Sequence, residues 1–360
     1  MARSIAGLVL VASAASALCW AMPLTASAQT IEQHWVVCTN TGDAFSPAAQ
    51  IAGCTATLAA GRDTPHNRAI ALNNRGNAYV AHPQPDFTSA LADYDEAIRL
   101  DPRLAIAFYN RAKAHWNGPQ RDAARAIADF DESIRLDSTN ALAFNNRGIA
   151  HREGPQHDYA RAVADYDRAI TLDPRLSIAY INRGNALQES PQPDLRRAIE
   201  DYGRALAIDP QSPVAHYNRG NAYMAVGDRV RAIADYDRAA ALGPGTDAFE
   251  RQRCRARAFA GLQLDTARTI CDTLLQRQSG DAIALSARGL VGLKQQRWQE
   301  AWADYDAAAK IDGTNAECIF GRGIAALRLR HTADGQADLA RAAALDASIA
   351  QVFERQGVSR

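Results

Sequence analysis

The sequence predicts an all-α fold, a right-handed superhelical α-solenoid of about nine helix–turn–helix units. Two observations predict it. An Asn-Arg pair recurs at 74–75, 110–111, 146–147, 182–183 and 218–219, a step of 36 residues each time. A second segment is written six times: "ADYDEAIRLDP" (92–102), "ADFDESIRLDS" (128–138), "ADYDRAITLDP" (164–174), "EDYGRALAIDP" (200–210), "ADYDRAAALGP" (234–244) and "ADYDAAAKIDG" (303–313). Each copy follows a segment of the Asn-Arg-Gly type, so the two together make one helix pair. Self-similarity at a fixed period marks a repeat architecture. One pair cannot bury its apolar faces alone, so successive pairs must stack.

The elements of a unit follow in order. Gly76, Gly148, Gly184 and Gly220 on the first helix face Ala90, Ala162, Ala198 and Ala232 on the second, where the two cross closest. Tyr94, Phe130, Tyr166, Tyr202, Tyr236 and Tyr305 fill the space beside that contact. Asp101-Pro102, Asp173-Pro174 and Asp209-Pro210 are expected to stop one helix and start the next, with Asp as N-cap and Pro at the first helical position. The step from Tyr202 to Tyr236 is 34 residues, and earlier units carry two extra residues in the turns "HPQPD", "NGPQRD", "EGPQHD" and "SPQPD".

This pattern resembles the tetratricopeptide repeat. In the sixth unit the family's small, aromatic, alanine, aromatic, alanine and proline positions are Gly220, Tyr223, Ala232, Tyr236, Ala239 and Pro244. The resemblance runs from about residue 31 to 349 and divides the chain. A degenerate first repeat with a cysteine pair spans 29–68, five regular repeats 69–246, and three further, partly degenerate repeats 247–349. A cap or tail occupies 350–360.

The N-terminus reads as export. "MARSIAGLVLVASAASALCWAMPLTASAQT" has Arg3, an apolar run from Ile5 to Leu24, and then Ala26-Ser27-Ala28. That is a secretory signal over residues 1–28, cleaved before Gln29. The alternative is an uncleaved anchor, since the run is long enough to span a bilayer; Pro23 and the small-residue site favour cleavage. The expectation is a chain in the bacterial periplasm or secreted, with no membrane insertion after cleavage. With 40 basic and 40 acidic residues, it lacks the electrostatic footprint of a nucleic-acid binder.

Five cysteines lie beyond the signal. Cys38 and Cys54 are 16 apart, and Cys254 and Cys271 are 17 apart. Both pairs fall on the first-helix glycine and second-helix aromatic positions of their repeats. In an exported protein matched spacings read as disulfides, with buried free thiols as the alternative. Cys318 has no partner in this scheme. No C-x-x-C spacing with neighbouring histidines suggests metal.

The Asn-Arg pair carries two readings. Arg75, Arg111, Arg147, Arg183 and Arg219 are expected to face Asp93, Asp129, Asp165, Asp201 and Asp235 on the second helix, as partly exposed ion pairs each worth little. An anion-binding strip is the functional alternative. Asn74, Asn110, Asn146, Asn182 and Asn218 have no such obliging neighbour. Their position is similar to that of the asparagine ladder in the repeats of O-linked N-acetylglucosamine transferase, where successive asparagines grip an extended peptide. A carboxamide offers both donor and acceptor, which a peptide bond requires. Asn77, Asn185 and Asn221, three residues on, broaden the same face, although Lys113 and Ile149 interrupt the row. A polar residue tolerated on a solvated face is the alternative.

Catalysis finds little support. There is no Ser-His-Asp set in a sensible context, no H-E-x-x-H and no phosphate-binding glycine loop. His115 and His151 share one repeat position and read as replacements for Tyr79 and Tyr223, with a two-ligand metal pair as the weaker alternative. No cofactor is expected. The function expected is a non-enzymatic, exported protein–protein interaction scaffold binding an extended peptide or flexible protein segment in its concave groove. The alternative is a structural adaptor joining folded envelope proteins through its convex face and the "PQ" turns.

Overall fold

A computed structural model describes residues 30–61 and 63–359; the expected signal segment lies outside the described residues. Among these residues the chain forms nineteen α-helices and no strand. They fall into two compact units, divided after Asp101. In the first unit, α1 (Ile31–Thr39) pairs with α2 (Pro47–Ala60) and α3 (Pro65–Ala81) with α4 (Phe87–Leu100).

The second unit holds seven pairs. These are α5 (Ala105–Asn117) with α6 (Ala123–Leu136), α7 (Ala141–Glu153) with α8 (Tyr159–Leu172), and α9 (Ser177–Glu189) with α10 (Leu195–Ile208). Next come α11 (Pro213–Ala225) with α12 (Arg229–Leu242) and α13 (Asp247–Ala260) with α14 (Leu264–Arg277). The last two are α15 (Ala282–Lys294) with α16 (Trp298–Ile311) and α17 (Ala316–Arg328) with α18 (Thr332–Leu345). The short α19 (Ile349–Arg355) closes the stack, its Phe353 ring 4.9 Å from that of Phe320. No described helix is long and apolar enough to cross a membrane.

In four of the five regular pairs a tyrosine dictates the glycine, and in α5–α6 Phe130 clusters with Ala112 instead. A Cβ on Gly76 would come within 2.6 Å of the Tyr94 ring, and one on Gly184 within 2.7 Å of Tyr202. The small residue thus makes room for an aromatic ring that is 0–1% exposed throughout the regular repeats. In this second unit the first helices also pack on one another, α5 on α7, α7 on α9 and α9 on α11. Each second helix packs on its own first helix and on the next one, as α8 does on α7 and α9. The first helices therefore form an inner layer, and grooves run between successive second helices.

The helix ends depart from expectation. Asp101, Asp173 and Asp209 are not N-caps: each is the C-cap of the preceding helix, in extended or near-extended backbone. Asp173 and Asp209 instead accept from the backbone N–H two residues on, at 2.9 and 3.0 Å, as Asx turns. The N-caps of the second helices lie in the turns within each repeat. Asp86, Asp122, Asp158 and Asp194 each accept from the N–H three residues on at 3.0 Å.

The cysteines meet in pairs. Cys38 and Cys54 join α1 to α2 with Cα atoms 4.4 Å apart, and Cys254 and Cys271 join α13 to α14 at 5.6 Å. Both separations suit a disulfide, and each closes a loop worth roughly 3 kcal/mol in the chain-entropy model. Cys318 is buried and unpaired, and burial pushes its thiol up to about 12.

Candidate peptide-binding face

The arginine of each Asn-Arg pair points away from the inner face, onto the second helix. Arg75 grips Asp93 with both Nε and Nη2 at 2.7 Å. Arg111 holds Asp129, Arg147 Asp165, Arg183 Asp201 and Arg219 Asp235 in the same two-pronged way, at 2.6–3.0 Å. The pairs are partly exposed on the arginine side, at 18–23% of each side chain, while the five aspartates are only 5–7% exposed. Hydrogen bonding to Asp201 and Asp167 holds the Arg183 guanidinium well above its ordinary range.

A second carboxylate explains the third residue of the "DYD" motif. Arg147 Nη1 also bonds Asp131 on α6 at 2.6 Å, and Arg183 Nη1 bonds Asp167 on α8 at 2.5 Å. The motif thus pairs its first Asp within the repeat and its second with the next repeat. His115 and His151 sit beside this network, each with Nε2 3.9 Å from its own repeat's Asp129 or Asp165. Burial lowers both imidazole pKa values. No three His, Cys, Asp or Glu among the described residues cluster closely enough to hold a metal.

The asparagines lie on the inner face and have partners. Asn182 donates Nδ2 to Asn145 Oδ1 at 3.0 Å, Asn145 donates to Asn146 at 3.1 Å, and Asn146 to the Tyr109 hydroxyl at 2.9 Å. That chain stitches α5, α7 and α9 together. Asn218 continues it to Asn185 at 2.9 Å, joining α11 to α9. In the first unit Asn74 accepts from its neighbour Asn73 at 3.2 Å. Asn110 and Asn182 are buried, and Asn74, Asn146 and Asn218 half-buried.

The second row has its own logic. Asn77, Asn185 and Asn221 each accept a hydrogen bond of 2.8 Å from the hydroxyl of Tyr94, Tyr202 or Tyr236. Where Lys113 interrupts the row, the aromatic is Phe130, which has no hydroxyl to satisfy. Where Ile149 interrupts it, the Tyr166 hydroxyl is buried without a partner. Burying such a group unpaired costs about 1–3 kcal/mol, so this row answers a need of the fold.

Sequence reasoning missed three features of the face. Asn145 and Tyr109 carry the ladder between repeats, and nothing in the period identifies them. The third is a line of exposed aliphatic side chains. Ile106, Leu142, Ile178 and Val214, again 36 residues apart, are 42–49% exposed. Each stands three and four residues before the ladder positions, hence on the same side of its helix. The signal was present in the period, but an aliphatic in a helix normally reads as core.

Comparison with known proteins agrees with this geometry. The family described as "TPR repeat" matches residues 84–118 and 194–227, and "Tetratricopeptide repeat" matches 213–246 and 257–316. This is a tetratricopeptide-repeat protein. A solved tetratricopeptide repeat protein from Parabacteroides merdae is 16% identical over 71% of this chain and 99% of its own, with a TM-score of 0.52. Pseudomonas aeruginosa pilF is 20% identical over 62% of this chain and 97% of its own, with a TM-score of 0.53. Both likenesses concern the fold. Comparison with curated proteins returns no match.

Proposed function

We propose that this tetratricopeptide-repeat protein is an exported, non-enzymatic scaffold that binds an extended peptide or flexible protein segment along the first helices of α5 to α11. The observation that carries the reading is the exposed aliphatic line Ile106, Leu142, Ile178 and Val214 beside a row of carboxamides, buried at Asn110 and Asn182 and half-buried at Asn146 and Asn218. An extended chain advances roughly 3.3 Å per residue, and neighbouring helices lie about 8–10 Å apart. Every third side chain of a bound segment would therefore meet one aliphatic. A carboxamide can make up to about four hydrogen bonds, so the ladder retains capacity for a backbone that the Arg-Asp network lacks.

The test is affinity capture from the native envelope with wild type beside Leu142→Asp/Ile178→Asp, a change at solvent-exposed positions that leaves the ladder whole. A partner lost from the variant at unchanged Tm places binding on this face. Equal capture by both proteins sinks the reading and turns attention to the "PQ" turns.

A further inference from the structure

The groove between α10 and α12 differs from the other second-helix grooves inside the second unit by one missing carboxylate, and it lies apart from the inner face. In five repeats a second-helix Asp sits 16 residues before the arginine of the next repeat and bonds it. Asp131 bonds Arg147, Asp167 Arg183, Asp272 Arg288 and Asp306 Arg322, all through Nη1 at 2.5–2.8 Å. Asp237 bonds Arg253 through Nε at 2.8 Å. At the corresponding place before Arg219 stands Gly203.

The consequence is an arginine with one edge uncovered. Arg219 spends Nε and Nη2 on Asp235, at 2.7 and 2.8 Å. A Cβ built on Gly203 would have Arg219 Nη1 at 4.0 Å and no other atom within that distance. The glycine is half-buried, so the notch opens to solvent. The equivalent groove one carboxylate richer, between α6 and α8, is a cavity of about 370 Å³ lined by Asp131, Arg147, His151, Arg161 and Asp165. In the α10–α12 groove Arg219 and Arg231 replace the two arginines and Tyr223 the histidine. Arg231 lies over the Tyr223 ring at 4.5 Å. One negative charge is missing, and none of the described residues fills its place.

We propose that this notch is a docking subsite for an acidic side chain, an Asp or Glu projected from a partner protein's helix, which completes the guanidinium as Asp131 and Asp167 do in their repeats. Complementarity selects the occupant: the guanidinium edge is planar and cationic, and a carboxylate is the group presented to Arg147, Arg183, Arg253, Arg288 and Arg322.

The test uses the full chain with ¹⁵N-labelled arginine side chains, read by NMR. Two probes are titrated against sodium chloride at matched ionic strength: sodium acetate, and a capped alanine-rich helical peptide carrying a single Asp. The expected result is a saturable shift of the Arg219 Nη resonance with both probes, the peptide saturating at least tenfold lower in concentration. Arg183, whose Nη1 Asp167 already holds, should stay still, and Gly203→Asp should abolish the Arg219 response. Equal shifts at Arg219 and Arg183, or a response that survives Gly203→Asp, would overturn the site. A peptide no tighter than acetate would overturn the partner helix as its occupant.

Discussion

The repeats of α7–α12 and those of α15–α18 share one helix pair, yet the seams between their first helices differ in kind. From α7 to α11 the seam is a run of carboxamides, Asn145, Asn146, Asn182, Asn185 and Asn218. From α15 to α17 it is apolar, with Leu290, Val291, Ile319 and Ile324 at 0–1% exposure in one continuous core. The Arg-Asp network runs through both: Arg288 bonds Asp304 and Asp272 just as Arg183 bonds Asp201 and Asp167. Stacking therefore needs the arginines and does not need the asparagines. A polar seam is costly unless its buried groups are paired, and the bonds among Asn145, Asn146, Asn182, Asn185 and Asn218 supply that pairing.

Removing an arginine tests the shared part of the comparison and should have the largest effect. Arg183→Ala and Arg288→Ala each strand a buried carboxylate and should cost about 3–5 kcal/mol, equally in the two regions, by urea unfolding. A large difference between them would break the claim that the ion network is common to both.

The tyrosine hydroxyls sharpen the contrast. Tyr202 donates to Asn185 at 2.8 Å, whereas the Tyr305 hydroxyl is buried without a partner, Leu290 standing where the asparagine would be. Tyr202→Phe should lose about 1 kcal/mol, and Tyr305→Phe should be neutral or stabilising. Thermal melts of the two variants decide it. Equal losses would mean that the second asparagine row is not the tyrosines' partner.

Much of this was legible in the period of 36. It placed the helix pairs and set each arginine against its own repeat's aspartate, because those contacts repeat with the unit. Contacts between repeats were not legible. Asn182 reaching Asn145, or Arg183 reaching Asp167, depends on the register of stacked helices, which no single unit encodes. Chemistry that serves two ends also misled. Asp suits an N-cap and an Asx turn alike, so the sequence assigns Asp173 to the start of α9, whereas it ends α8 and Asp158 in the turn caps α8. The aliphatic line Ile106 to Val214 was hidden because exposure is a property of the stack.

The most direct measurement is a double-mutant cycle of Asn145→Ala and Asn182→Ala, followed by urea unfolding. If the carboxamides hold α7 to α9, their coupling should be about 1 kcal/mol. Strictly additive losses would contradict the polar seam, and with it the distinction drawn between the two halves of the stack.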